Sequence, residues 1–144
     1  MIEYIKGNLI EITPTDLVLE CHGIGYKILI SLQTYEALNG KNETTVYIHH
    51  YIREDEERYY GFASKDEREL FRLLISVSGI GASTARMMLS SLTSEEIRNA
   101  IIAEDINKIK SIKGIGTKSA QRLVLELKDK VVKGAGSDNN TLFV

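Results

Sequence analysis

Two stretches of the chain, Ser78-Gly79-Ile80-Gly81-Ala82-Ser83-Thr84-Ala85 and Lys113-Gly114-Ile115-Gly116-Thr117-Lys118-Ser119-Ala120, share the pattern x-Gly-Ile-Gly-x-x-x-Ala and lie thirty-five residues apart (79 to 114). The chemistry open to that pattern is anion binding through the main chain. Glycine takes turn conformations that other residues resist, and with no side chain it lets a phosphate approach the amides. A helix beginning just after the pair adds unsatisfied N–H groups and the positive end of its dipole. The isoleucine is expected to pack back between the helices, and the later alanine to permit their close approach. A single Gly-x-Gly before a helix is also what a plain helical hairpin needs at its turn; two copies with one apolar spacer favour phosphate binding. The candidate phosphate-binding residues are therefore Gly79, Gly81, Ser83 and Thr84 in the first copy, and Gly114, Gly116, Thr117, Lys118 and Arg122 in the second. Lys118 falls at the start of its helix and Arg122 one turn later on the same face. For either, a merely solvated charge is the ordinary alternative. Lys113 and Arg86 are further cations nearby. A third triplet, Gly23-Ile24-Gly25, lies between alternating runs and reads as a β-turn.

A second candidate is Arg53-Glu54-Asp55-Glu56-Glu57-Arg58, four consecutive carboxylates at the expected tip of a β-hairpin. A solvated turn is one reading. Metal binding is another, but consecutive tip residues seldom converge on one ion, and no His or further Asp has suitable spacing. A third reading is repulsion of phosphates where DNA strands converge. His49 and His50 adjoin on a strand, so their rings point to opposite faces and cannot chelate together. No metal and no cofactor is expected. The phosphate loop Gly-x-x-x-x-Gly-Lys-Ser/Thr is missing, so the chain should not hydrolyse ATP alone. The one cysteine, Cys21, has no internal disulfide partner and reads as a buried small apolar residue.

The elements that must position these residues follow from periodicity. From Ile2 to Phe62 the pattern is mostly period two, rich in β-branched and aromatic residues and broken by turn residues. Expected strands are 2–12, 17–21, 26–31, 44–52 and 59–62, with a short helix over 33–38. Five strands with one interrupting helix suit a small closed barrel of the OB type. After Phe62 the period becomes helical, and Ser64 with Glu67 and Thr93 with Glu96 both fit the capping box. Helices are expected over 65–76, 83–92, 94–103, 106–111 and 118–132, followed by a flexible linker at 134–144 that opens Gly-Ala-Gly-Ser. The fold class is thus a two-domain β + α chain: an OB-type five-stranded barrel over 1–62 and an all-α domain with tandem helical hairpins over 63–133.

Net charge of −2 alone predicts no nucleic-acid partner, yet it conceals an asymmetry. Residues 1–62 carry five Lys/Arg against ten Asp/Glu, and residues 63–133 carry thirteen against nine. The hairpins lie in the basic part. Each part is of a size at which a lone core is marginal, so docking or oligomerisation would help both. The N-terminus shows no signal pattern and no apolar run is long enough to span a membrane, which leaves the cytoplasm as the expected location.

The paired hairpins resemble tandem helix-hairpin-helix DNA-binding motifs, which grip phosphates across a minor groove without reading bases. With the opening Met1-Ile2, the Gly23-Ile24-Gly25-Tyr26 turn, Arg53-Glu54-Asp55 and the following Tyr60-Gly61-Phe62, the chain resembles the RuvA family from Met1 to about Lys133. That resemblance implies a subunit with no catalytic site of its own. It binds four-way (Holliday) junction DNA in a structure-specific, sequence-independent way for branch migration by a motor ATPase, RuvB, in recombination, DNA repair and the SOS response. It implies a homotetramer built largely through the barrel, with Glu54 and Asp55 as an acidic pin at its centre. Ser83 and Thr117 stand where relatives can carry lysine, which shifts phosphate binding toward amides, hydroxyls, Lys118 and Arg122. Glu56 and Glu57 are expected to enlarge the pin. The family's third domain, which contacts the motor, is expected to be missing from this sequence. Two other functions compete: a generic helix-hairpin-helix duplex-binding module of a repair protein, and a glycosylase or metal-dependent nuclease. The enzyme reading lacks an aromatic cluster in the helical part that could hold a flipped base.

Overall fold

In a computed structural model of the chain, the backbone is described for residues 1–143 and the side chains for residues 1–132; where a flexible linker is expected at 134–144, the last helix runs on to Phe143. Five strands, β1 (Tyr4–Ile12), β2 (Asp16–Cys21), β3 (Ile24–Leu29), β4 (Glu43–Ile52) and β5 (Glu57–Phe62), form a closed barrel in the order β1-β2-β3-β5-β4. All pairings are antiparallel except β3 with β5, where Leu29 aligns with Tyr60. The short helix α1 (Leu32–Leu38) stands between β3 and β4. Alternation along the strands sends Ile5, Leu17, Leu19, Ile28, Val46 and Ile48 inward, where with Ile30 and Leu38 they form the barrel core. In the β2–β3 turn His22 and Gly23 take φ of 52° and 81°, the paired left-handed geometry of a tight hairpin; of the Gly-Ile-Gly triplet expected to form the turn only Gly23 lies in it, while Ile24 and Gly25 open β3 and pair with Cys21 and Glu20. Cys21, expected to be buried, is only half-buried: it ends β2 beside this turn and packs on the margin of the core.

Five helices follow: α2 (Lys65–Ile75), α3 (Ala82–Ser91), α4 (Ser94–Ile102), α5 (Ile106–Lys110) and α6 (Thr117–Phe143). Within α6 the apolar positions Ala120, Leu123, Val124, Leu127 and Val131 are all buried, the stripe expected of a helix laid on a core. The packing divides the chain into two compact units, Met1–Leu70 and Phe71–Val144, so the division falls inside α2.

Two charged residues account for the barrel unit's hold on the start of α2. The Ser64 hydroxyl accepts a bond from the Glu67 amide at 3.1 Å, which is half of the expected capping box. The other half does not form. The Glu67 carboxylate, 1 % exposed, instead accepts hydrogen bonds from the hydroxyls of Ser31 at 2.5 Å and Thr34 at 2.6 Å. Thr34 also accepts from the Ala63 amide, so one buried cluster ties the start of α1 to the β5–α2 junction. Burial pushes the Glu67 carboxyl above its usual range, opposed by the two hydroxyl bonds. The adjacent Arg68, 4 % exposed, grips Glu3 with both terminal nitrogens at 2.8 and 3.1 Å and also bonds the Glu3 carbonyl at 2.8 Å. At Thr93, by contrast, both halves of the capping box are present, and they hold the Glu96 carboxyl below its ordinary range.

Candidate nucleic-acid interface

The two glycine pairs fold alike. Gly79 and Gly114 take φ of +90° and +94°, in the left-handed region where a side chain is strained. One residue on, Ile80 and Ile115 are each 5 % exposed. Each isoleucine amide closes the turn onto the residue three back, Val77 at 3.0 Å and Ile112 at 3.1 Å. Ala85 and Ala120 are fully buried, and their amides bond the carbonyls of Gly81 and Gly116 at 2.9 and 3.0 Å, which starts the following helices at Ala82 and Thr117. Sequence spacing therefore identified both the turn and the two apolar positions that anchor it.

The second glycine of each pair carries a different message. Neither Gly81 nor Gly116 lies in the left-handed region, and a Cβ placed on either would meet nothing within 4 Å. Conformation does not demand glycine there, and neither does packing. Open space over main-chain amides at a helix start is what an approaching phosphate would use. Gly81 caps α3 with no side-chain hydrogen bond, so the first amides of that helix keep their donor capacity.

The charged candidates separate on inspection. Lys118 is exposed at the first turn of α6, and Lys113 is exposed in the second turn itself; neither has an ion-pair partner among the described residues. Arg122 is also exposed, but its Nε lies 3.6 Å from the Glu126 carboxylate one turn later, so it reaches an anion only by giving up or sharing that partner. Ser83 and Thr117 are exposed and Thr84 is half-buried. Lys110, exposed at the end of α5, is a cation beside the second hairpin that spacing alone did not select.

In the barrel unit the acidic segment forms the β4–β5 hairpin tip, with Ile52 paired to Glu57 and the Arg53 amide bonded to the Glu56 carbonyl at 2.8 Å. Glu54 and Asp55 occupy the tip, exposed and without a side-chain partner among the described residues. Glu56 does not extend this charge as expected, and Glu57 carries its charge on the hairpin's other face. Glu56 pairs with Arg58 at 2.9 Å, and Glu57 lies 3.5 Å from the His50 ring on the other face of the hairpin. Arg53 folds back with its guanidinium 5.1 Å from the centre of the Tyr51 ring. Among the described residues no three His, Cys, Asp or Glu converge as they would on a metal ion, and no helix is long and apolar enough to cross a membrane.

Comparison with known proteins agrees with this arrangement in both units. Residues 1–61 match the family model described as RuvA N terminal domain, and residues 71–129 match the SAM-like helix-hairpin-helix tandem. The Holliday junction branch migration complex subunit RuvA of Christiangramia forsetii is 56 % identical over 138 residues, 96 % of this chain and 72 % of that protein. The proteins of the same name from Bacteroides fragilis and Flavobacterium psychrophilum are 55 % and 51 % identical, over 94 % and 92 % of this chain and 67 % and 69 % of their own lengths.

Proposed function

Since the chain belongs to the RuvA family, we propose that it binds four-way junction DNA through the phosphate backbone, independent of sequence, and holds the junction open for branch migration. The observation that carries this reading is the second glycine of each hairpin, Gly81 and Gly116, required by neither conformation nor packing yet placed over open helix-start amides. Its natural occupant is a group that needs close approach to the backbone, and a phosphate diester is that group. Contacts of this kind fix position without reporting base identity, which matches a task performed on any sequence.

The remaining parts act through charge. Lys118, Lys113 and Thr117 at one hairpin, and Ser83 and Thr84 at the other, supply the side-chain share of phosphate binding. Glu54 and Asp55 supply repulsion where strands would cross. A pin of that sign costs little against an open junction with a central hole and more against a duplex running across it. The chain works as a homotetramer that gathers four pins at one axis, and a motor ATPase, RuvB, supplies the energy for strand movement. Competition between a synthetic four-way junction and linear duplex of the same sequence tests the reading. Retention of the junction complex under excess duplex is expected. Equal displacement by both would assign the chain to generic duplex binding instead.

A further inference from the structure

We infer that Arg58 is a specificity-determining residue of the pin: by pairing with Glu56 it cancels one carboxylate and limits the repulsive charge at the tip to Glu54 and Asp55. The inference rests on the junction-binding reading above. Its basis is the way four consecutive carboxylates are divided by the strand geometry. Glu56 and Arg58 sit two apart on one face of the hairpin, with Glu56 Oε2 2.9 Å from Arg58 Nη2. Two residues on, Tyr60 on the same face is 2 % exposed and meets the Tyr51 ring edge-to-face at 6.1 Å. The same Tyr51 carries Arg53, so this face presents two arginines beside two tyrosines. Glu57 points to the opposite face, toward His50.

The formal charge from Arg53 to Arg58 is four carboxylates against two guanidiniums. Had all six been splayed into solvent, a nearby phosphate would feel a diffuse acidic loop. The pairing makes the charge local instead, concentrated at two adjacent tip residues. That matters because repulsion between exposed charges dies away over about 8 to 10 Å at ordinary ionic strength. A neutral pair just below the tip lets strands pass the hairpin's flank at low cost while the tip itself stays forbidding.

The test is a double-substitution cycle in the chain as it stands, read by affinity for a synthetic four-way junction and for linear duplex of the same sequence. Arg58→Gln exposes the Glu56 carboxylate and should raise the junction-to-duplex ratio about two- to fivefold, as expected of one unmasked charge near phosphates. Glu56→Gln frees the guanidinium and should lower the ratio by a similar factor. The double substitution should return close to the parent, and Arg58→Lys, which keeps the charge, should leave the ratio nearly unmoved. All of these differences should shrink as salt is raised. If Arg58→Gln leaves the ratio at the parental value while Glu56→Gln lowers it, Arg58 masks nothing, Glu56 is an independent pin carboxylate and the inference falls. If Arg58→Gln weakens junction and duplex equally, Arg58 is a direct phosphate contact and the inference again falls. A parent chain with no junction preference would overturn the functional reading itself, and this inference with it; a parent that prefers junctions but whose ratio does not rise with Arg58→Gln overturns the inference alone.

Discussion

Replacing Gly116 by valine separates binding from folding more cleanly than any other change at the hairpins. Gly116 lies outside the left-handed region, and a Cβ there meets nothing within 4 Å, so a side chain enters without backbone strain and its Cβ without collision. The cost to the fold is that of a less suitable residue at a helix start, a few tenths to about 1 kcal/mol. The cost to binding is larger, because the new side chain fills the space through which a phosphate reaches the amides. A hydrogen bond to a charged group contributes about 1.5 to 3 kcal/mol, so each lost amide–phosphate bond should raise Kd about ten- to a hundredfold. Gly114→Val is the contrasting control. At φ of +94° it adds roughly 1 to 2 kcal/mol of backbone strain, so it should lower Tm visibly as well as weaken binding. Fluorescence anisotropy on a labelled junction, paired with thermal melting of each variant, reads both quantities. A Gly116→Val chain with parental melting and parental Kd would show that the second hairpin does not hold DNA.

Other consequences follow from the same geometry. Lys118→Ala should weaken junctions of unrelated sequence alike and reduce the slope of log affinity against log salt by roughly one unit for each contacting subunit; a sequence-dependent loss would count against a phosphate contact. The Glu67 carboxyl is raised above its ordinary 4.5 by burial, so the folded state holds its proton to higher pH than the unfolded chain does. Its contribution is then fully present below that value and is lost as pH rises through the folded pKa, and Glu67→Gln should flatten this fall in a pH series of melting temperatures. Parallel profiles for parent and variant would refute the assignment. Glu96 behaves with the opposite sign: its pKa, lowered first by the bond from the Thr93 amide, gives stability present above the ordinary value and lost as pH falls, so Glu96→Gln should reduce the acid-side loss. Light scattering at micromolar concentration should give the mass of four chains, and a monomer there would contradict the tetramer.

Much of this molecule is legible in local sequence. The change from period two to helical spacing after Phe62 places every strand and every helix start to within a few residues, because each face of each element must bury its own apolar set; the end of the last helix, expected at 132 and found at Phe143, is the exception. The repeat at Gly79 and Gly114 was legible for the same reason: turn, anchoring isoleucine and close-packed alanine all lie within eight residues. Partnerships between distant residues were not. Ser64 and Glu67 have capping-box spacing, yet the carboxylate is taken by Ser31 and Thr34, more than thirty positions earlier, and spacing cannot show that competition. Arg68 reads as one more cation on an amphipathic helix until Glu3 is seen across from it. The pin misled in the other direction. Four acidic residues in a row suggest one cluster of four charges, whereas strand alternation turns Glu56 and Glu57 to opposite faces, Glu56 onto the Arg58 guanidinium and Glu57 beside the His50 ring.

The central claim, that junctions are held by phosphate contacts at the hairpins and selected by repulsion at the tip, is tested most directly by neutralising that tip. Equilibrium affinities of the parent and of the Glu54→Gln, Asp55→Asn double variant should be measured for a four-way junction and for linear duplex, in low salt, where charges about 8 to 10 Å away still act. Junction affinity should hold or rise, duplex affinity should rise by more, and the ratio between them should fall. Loss of junction binding in a double variant that still folds and assembles would mean that Glu54 and Asp55 attract something in the complex, and the repulsive account would be wrong.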